Sequence, residues 1–102
     1  MKQLKITVAC AAGMSSSMLC NKLIAAAAKR DIELACKAYS TSEVGAVIEG
    51  SACLLVGPQV AYQKDMLQQK YPDVPVEVIS MQDYGMMNGE KIFNGLAVKY
   101  GW

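Results

Sequence analysis

Apolar and β-branched residues gather in four short segments, Leu4–Ala9, Glu33–Ala38, Cys53–Val56 and Val76–Ile79, each bounded by turn or capping residues. This pattern predicts four strands. The stretches between and after them, Ser15–Arg30, Ser42–Glu49, Val60–Tyr71 and Glu90–Tyr100, carry helical signals. In the first stretch Leu19, Leu23 and Ala27 recur at four-residue spacing beside Cys20 and Ile24, while Asn21, Lys22 and Lys29 occupy another side. Ser40 followed by Glu43 has the form of a capping box, and Gly50 supplies a stop. Tyr71 ends the third helix because the ring of Pro72 disfavours a helical residue before it. Asn88 caps the fourth, whose Ile92, Phe93, Leu96 and Tyr100 form one apolar stripe.

Strands alternating with helices over short connections favour a parallel sheet, because right-handed crossovers carry the helices onto both of its faces. The expectation is a single α/β domain spanning residues 1–102, with four parallel strands in the order 2-1-3-4 of the flavodoxin-like pattern. In such sheets ligands bind beyond the carboxyl ends of the strands, near the point where the chain changes direction. The loop after the first strand is therefore the place to look.

Composition narrows the chemistry. At 102 residues and 53% hydrophobic the chain is the size of one core, and its net charge of +1 with no basic run argues against nucleic acid. No histidine is present, so imidazole serves neither as base nor as phosphate carrier nor as metal ligand. Cysteines at 10, 20, 36 and 53 lack the paired spacing of zinc sites and redox dithiols, and read as reduced cytoplasmic thiols. Cys20, Cys36 and Cys53 fall within apolar helix or strand patterns and are expected in the core. The longest strictly apolar run, Leu23–Ala28, is far shorter than the roughly 18 residues of a membrane span. The apolar stretch Ile6–Cys10 is also too short for a secretory signal and reads as the first strand. Neither a metal nor a cofactor is expected.

The first loop reads Cys10-Ala11-Ala12-Gly13-Met14-Ser15-Ser16-Ser17 and runs straight into the first helix. Unpaired N–H groups at a helix start attract an anion, glycine reaches backbone angles that larger residues resist, and three serines add hydroxyl donors. A thiol beside that positive field ionises more readily, and the thiolate is the nucleophile. Buried cysteine and serine caps also have purely structural uses, but Cys10, Gly13 and the serine triplet together at one strand-to-helix turn favour a phosphoryl site. A cysteine phosphatase needs Cys-x5-Arg, and the residue six beyond Cys10 is Ser16. Arg30, the one arginine, lies at the far end of the first helix, roughly 20 Å from its start. Such a loop holds a phosphoryl group without the apparatus to hydrolyse it, which describes a carrier.

Three blocks in register resemble the IIB component of the bacterial phosphoenolpyruvate-dependent sugar phosphotransferase system, of the lactose, cellobiose and diacetylchitobiose type. They are Cys10–Leu19, Leu54–Tyr62, and Pro75–Ile79 followed by Asp83-Tyr84-Gly85. The resemblance implies a four-stranded parallel sheet flanked by helices and a relay with no metal. Cys10 would accept a phosphoryl group from phosphohistidine on a IIA protein. It would then pass that group to a sugar brought in by the membrane-embedded IIC permease. Ala11, Ala12, Gly13, Met14, Ser15, Ser16 and Ser17 would cradle the phosphate. Ala11 departs from relatives that carry serine there, so one hydroxyl is missing. The free-standing length is similar to that of cellobiose or diacetylchitobiose carriers, which act in the cytoplasm beside the membrane.

Two further loops fall on the expected active edge, Gly57-Pro58-Gln59 and Met81–Gly89. Gln59, Tyr62 and Tyr84 have polar tips suited to the phosphate edge or a partner, and Met14, Met81, Met86 and Met87 suit an adaptable docking patch around Cys10. Gly57 and Pro58 read as the turn that ends a strand and starts a helix. The competing readings are a small cysteine phosphatase or arsenate reductase relative, and a non-catalytic anion-binding module with an inert Cys10. The chain is expected to release no p-nitrophenol from p-nitrophenyl phosphate above the buffer background; steady turnover would return the loop to the phosphatase class.

Overall fold

The computed structural model describes residues 2–11 and 14–102, and of residues 14 and 15 the backbone alone. Its four strands are β1 (Lys2–Cys10), β2 (Ile32–Ser40), β3 (Cys53–Val56) and β4 (Val76–Val78), all parallel in the order β2-β1-β3-β4. The α-helices are α1 (Met14–Ala28), α2 (Lys64–Lys70), α3 (Met81–Gly85) and α4 (Gly89–Tyr100). Sheet order and strand direction match the sequence expectation. Among the described residues no helix is long and apolar enough to cross a membrane.

β1 is the inner strand on which the sheet is built. It pairs with β2 over its whole length but with β3 only from Ile6 to Ala9, because β3 is four residues long. Residues 6–10 are accordingly buried and residues 2–3 exposed. Successive side chains leave a strand on opposite faces. Ile6 and Val8 join Cys53 and Leu55 beneath α1 and α4, and Ala9 joins Leu54 and Val56 on the other face with Val44, Ile48, Val60 and Leu67. Thr7 is the polar exception, and its buried hydroxyl bonds that of Ser51 at 2.7 Å.

The two faces are covered unequally. α1 contributes Leu19, Cys20, Leu23, Ala26 and Ala27 to the first core, and α4 contributes Phe93, Leu96 and Ala97. The stop of α4 is a left-handed Gly101 (φ 71°), after which the Trp102 amide bonds the Ala97 carbonyl at 2.9 Å. Trp102 then lies 5.6 Å from the Phe93 ring and stacks on Tyr100. On the second face the expected helix over Ser42–Glu49 is only a 3-10 turn, Val44–Ala46. Gly45 and the β-branched Val44, Val47 and Ile48 weaken helix there. Gly45 also lies so close to Tyr71 that a Cβ would meet the phenol oxygen at 2.7 Å. Ser40 and Glu43 still form half of the capping box, with the Ser40 amide donating to Glu43 Oε1 at 3.1 Å.

The expected third helix divides in two. Pro58–Gln63 is 3-10 with Val60 off helical angles (φ −121°), and the α-helix starts only at Lys64. It ends at Tyr71 (φ −126°, ψ 71°), before Pro72 as expected. In the reverse direction, the segment Met81–Gly89 expected as a loop begins with α3, capped by Ser80 Oγ accepting from the Asp83 amide at 3.1 Å. Asn88 caps α4 through Oδ1 and the Lys91 amide at 3.3 Å.

α4 meets α1 at Gly89, where an added Cβ would lie 2.6 Å from Lys22 Cβ and 2.7 Å from the Lys22 carbonyl carbon. Backbone atoms cannot swing aside as a side-chain tip can. Gly89→Ala is expected to cost about 2 kcal/mol of stability, read as a melting midpoint lower by roughly 10 °C; an unchanged midpoint would mean that α4 moves off α1 freely.

Candidate functional site

Cys10 is the last residue of β1, and its even position places it on the same face as Ile6 and Val8, towards α1. The chain needs only residues 11–13 to enter α1, so the first helical turn lies directly over the strand end. Ser16, fully buried in that turn, hydrogen-bonds Cys10 Sγ through its hydroxyl. The Tyr84 hydroxyl on α3 lies 3.1 Å from Ser16 Oγ. A strand end, a helix start and a segment 68 residues further along are thus linked through the Ser16 hydroxyl.

β3 closes the site from the other side. The Gly57 amide donates to the Ala9 carbonyl at 2.8 Å, continuing the β1–β3 ladder past its last pair. A Cβ on Gly57 would stand 3.1 Å from Cys10 Cβ and 3.2 Å from Gln59 Oε1. Its φ of −65° is open to any residue, so glycine serves here for room beside the cysteine. The Gln59 side chain folds back towards the same point and is otherwise exposed.

Cys10 itself is 3% exposed. A cleft of about 250 Å3 leads to it, walled by Ala11, Ser16, Ser17, Tyr39, Ser40 and Glu43. Ser40 enters because β2 places it beside Cys10 in register. The Ser40 amide and hydroxyl donate to Glu43 Oε1 at 3.1 and 2.8 Å and hold its carboxyl below the usual range. An ionised carboxylate therefore faces the cleft at neutral pH. The sequence reading missed this wall: strands Leu4–Ala9 and Glu33–Ala38 aligned end to end set Cys10 opposite Tyr39, and the observed register sets it opposite Ser40.

The other expected site residues divide. Ser17 and Ala11 are exposed at the cleft. Ala12 and Gly13, with the side chains of Met14 and Ser15, lie outside the described residues. Tyr62 is 81% exposed, and its hydroxyl accepts from the Gln63 side-chain amide at 3.1 Å. Met81 and Met86 are exposed on and after α3, whereas Met87, with a left-handed backbone (φ 53°), packs against the core beneath α1 and α4. Of the four methionines expected to form a docking patch, Met81 and Met86 are exposed, Met87 is partly buried, and the Met14 side chain lies outside the described residues.

The remaining thiols face the interior. All four cysteines are free and buried. The adjoining Cys20 thiol, together with burial, pushes Cys36 far above the usual thiol range. Burial, with Glu77 nearby, pushes Cys53 up to about 12. Cys10 alone stands at the strand ends beside hydroxyl donors and the start of a helix. Arg30 is remote from it, exposed after α1 and bonded to Asn94 at 3.3 Å. Among the described residues no three His, Cys, Asp or Glu side chains gather to hold a metal.

Comparison with known proteins places this geometry. The family model described as the lactose/cellobiose-specific IIB subunit of the PTS system matches residues 5–95. The galactose-specific EIIB component of Lactococcus lactis subsp. cremoris (strain MG1363) is 43% identical over 94 residues, covering 85% of this chain and 87% of the relative. The cellobiose-specific EIIB component of Lactococcus lactis subsp. lactis (strain IL1403) matches with the same identity and coverage. The oligo-beta-mannoside-specific EIIB component of Bacillus subtilis (strain 168) is 33% identical over 91 residues, 87% of this chain and 88% of the relative. In three dimensions the cellobiose-specific phosphotransferase IIB component from Borrelia burgdorferi superposes with a TM-score of 0.70 at 32% identity, over 90% of this chain and 86% of that one. The lactose-specific IIB domain from Streptococcus pneumoniae shares the fold with a TM-score of 0.78 at 16% identity, over 97% of this chain and 99% of that one. Matched by the family model over residues 5–95 and by relatives 43% identical across 85% of its length, the chain belongs to the lactose/cellobiose-specific IIB components of the phosphotransferase system, which are phosphotransferases.

Proposed function

We propose that the protein is a phosphocysteine carrier in which Cys10 takes a phosphoryl group from a phosphohistidine of a IIA protein and gives it to a sugar held by a IIC permease at the cytoplasmic face of the membrane. The observation that carries this reading is the Cys10 sulfur at the strand end, bonded by the Ser16 hydroxyl in the first turn of α1. In the first step the thiolate attacks phosphorus, an S–P bond forms, and the P–N bond breaks as imidazole leaves. In the second a sugar hydroxyl attacks phosphorus and loses its proton, and the S–P bond breaks to return the thiolate. Positioning and stabilisation of charge suffice for both steps.

The residues 11–17 supply the cradle in this reading, through backbone N–H groups at the start of α1 and the hydroxyls of Ser15, Ser16 and Ser17. Glu43 keeps a negative charge at the cleft wall, which limits how long a phosphorylated sulfur is comfortable there. Gln59, Tyr62, Met81 and Met86 are exposed where a donor or acceptor protein would approach. The sugar we assign is a β-linked disaccharide such as cellobiose or diacetylchitobiose, a choice supported by the names of the cellobiose and oligo-beta-mannoside relatives. Each contact must be small and brief, since one thiol serves two partners in turn.

Incubation with phosphoenolpyruvate, the general phosphotransfer proteins and a matched IIA is expected to add one phosphate, mapped to the Cys10 peptide under conditions that preserve thiophosphate. Cys10→Ser is expected to remain folded and take up none; a phosphate retained on another cysteine overturns the assignment. The near-complete burial of Cys10 favours one rival, an inert thiol in an anion-binding module. Mild alkylation at neutral pH is expected to label Cys10 well ahead of Cys20, Cys36 and Cys53, and equal rates at all four would favour that rival.

A further inference from the structure

We propose that Tyr84 is a positioning residue for the Cys10 thiol, its phenol fixing the Ser16 hydroxyl in the orientation that donates a hydrogen bond to the sulfur. The inference rests on Cys10 being the nucleophile, and adds a group outside the loop that prepares it.

The argument is one of proton count. A serine hydroxyl has one proton and rotates to suit its neighbours. Ser16 is 0% exposed, so its hydroxyl is aimed by protein groups. Among the described residues it bonds two of them, Cys10 Sγ and, at 3.1 Å, Tyr84 Oη. A thiolate only accepts. Once Cys10 is ionised, Ser16 must point its proton at sulfur, leaving its oxygen to accept, and among the described residues the phenol, at 3.1 Å, is placed to donate to it. The reverse arrangement, with Ser16 donating to Tyr84, turns an oxygen lone pair towards the negative sulfur. Chained in one direction, phenol to hydroxyl to thiolate, the bonds polarise and strengthen one another.

The fold spends several interactions on holding that phenol still. The Tyr84 ring packs against the core beneath α1 and α4. Ser80 caps the start of α3 at the Asp83 amide, Asp83 pairs with Lys91 on α4 at 3.3 Å, and the left-handed Met87 turns the chain from one helix to the other. Among the described residues lining the cleft, the other ionisable groups are Glu43 and Tyr39, across the cleft and not on α3. The same chain acts twice in the relay, favouring the thiolate before attack and again when it leaves phosphorus.

The test is alkylation of the full-length protein with iodoacetamide, following the Cys10 peptide by mass from pH 6 to pH 10. Tyr84→Phe keeps the ring and removes only the hydroxyl. It is expected to slow labelling about tenfold at neutral pH, the scale of one hydrogen bond to a charged group, with rates converging in alkali. Ser16→Ala is expected to move the profile the same way, and the double substitution no further than Ser16→Ala alone. A Tyr84→Phe profile that overlies the parent overturns the proposal, as does a slowing by the same factor at every pH, which marks a steric change. The assay needs no phosphoryl donor, so failure of the carrier reading would appear only in the phosphate-transfer experiment and failure of this one only here.

Discussion

The structure depends on the burial of one strand on both faces. β1 lies between β2 and β3, and from Ile6 onwards it is shut off from water. Neither face can be left open, because a strand buried in a parallel sheet exposes apolar side chains up and down alike. The α1–α4 pair covers the face of Ile6 and Val8; α2 and two 3-10 segments cover that of Ala9. Cys10 is the next even residue, so the alternation that packs the core also delivers the thiol to the underside of α1. The site is a continuation of the core and not an addition to it.

Four chemically identical side chains thereby acquire different uses. Cys20 and Cys36 face each other between α1 and β2, and Cys53 sits in the middle of β3 with its thiol pushed up to about 12. Cys36 and Cys53 are pushed up and stay protonated as small hydrophobic groups, while the hydrogen bond with Cys36 holds the Cys20 thiol below the usual range. Cys10 differs by position alone, one residue past the last β1–β3 pair, where Gly57 leaves room and Ser16 offers a hydroxyl.

Much of this was legible in the sequence. β3 could be read to the residue because Cys53–Val56 is an unbroken apolar run between Ser51-Ala52 and Gly57-Pro58. The caps at Asn88 and before Pro72 act through local bonds and so appear where local rules put them. The segments that escaped are those ruled by distant contacts. Val44 and Ile48 look helical by spacing, but each is drawn into the second core, and the Lys5 ammonium bonds the carbonyls of Val47 and Glu49, fixing the turn from outside. α3 was hidden because the segment Met81–Gly89, with its methionines, glycines and asparagine, reads as loop, while Ser80 and the pull of Lys91 on Asp83 decide otherwise. The Cys10, Ser16 and Tyr84 cluster is the same case at the site: the first two share a motif, and only the packing of α3 brings in the third.

The 68 residues between Ser16 and Tyr84 also bear on how the protein is made. A ribosome delivers β1 and the start of α1 first, and Cys10 leaves it as an ordinary cysteine on a strand whose two neighbours, β2 and β3, are still to come. β3 must be inserted beside β1, out of chain order, before the sulfur has its far wall, and Gly89 must seat on Lys22 before α3 is held over Ser16. Contacts of such long sequence separation close late in folding. The surroundings of Cys10 are therefore assembled nearly last, and a nascent or truncated chain that lacks its final quarter carries the motif without α3, α4 and the Tyr84 hydroxyl.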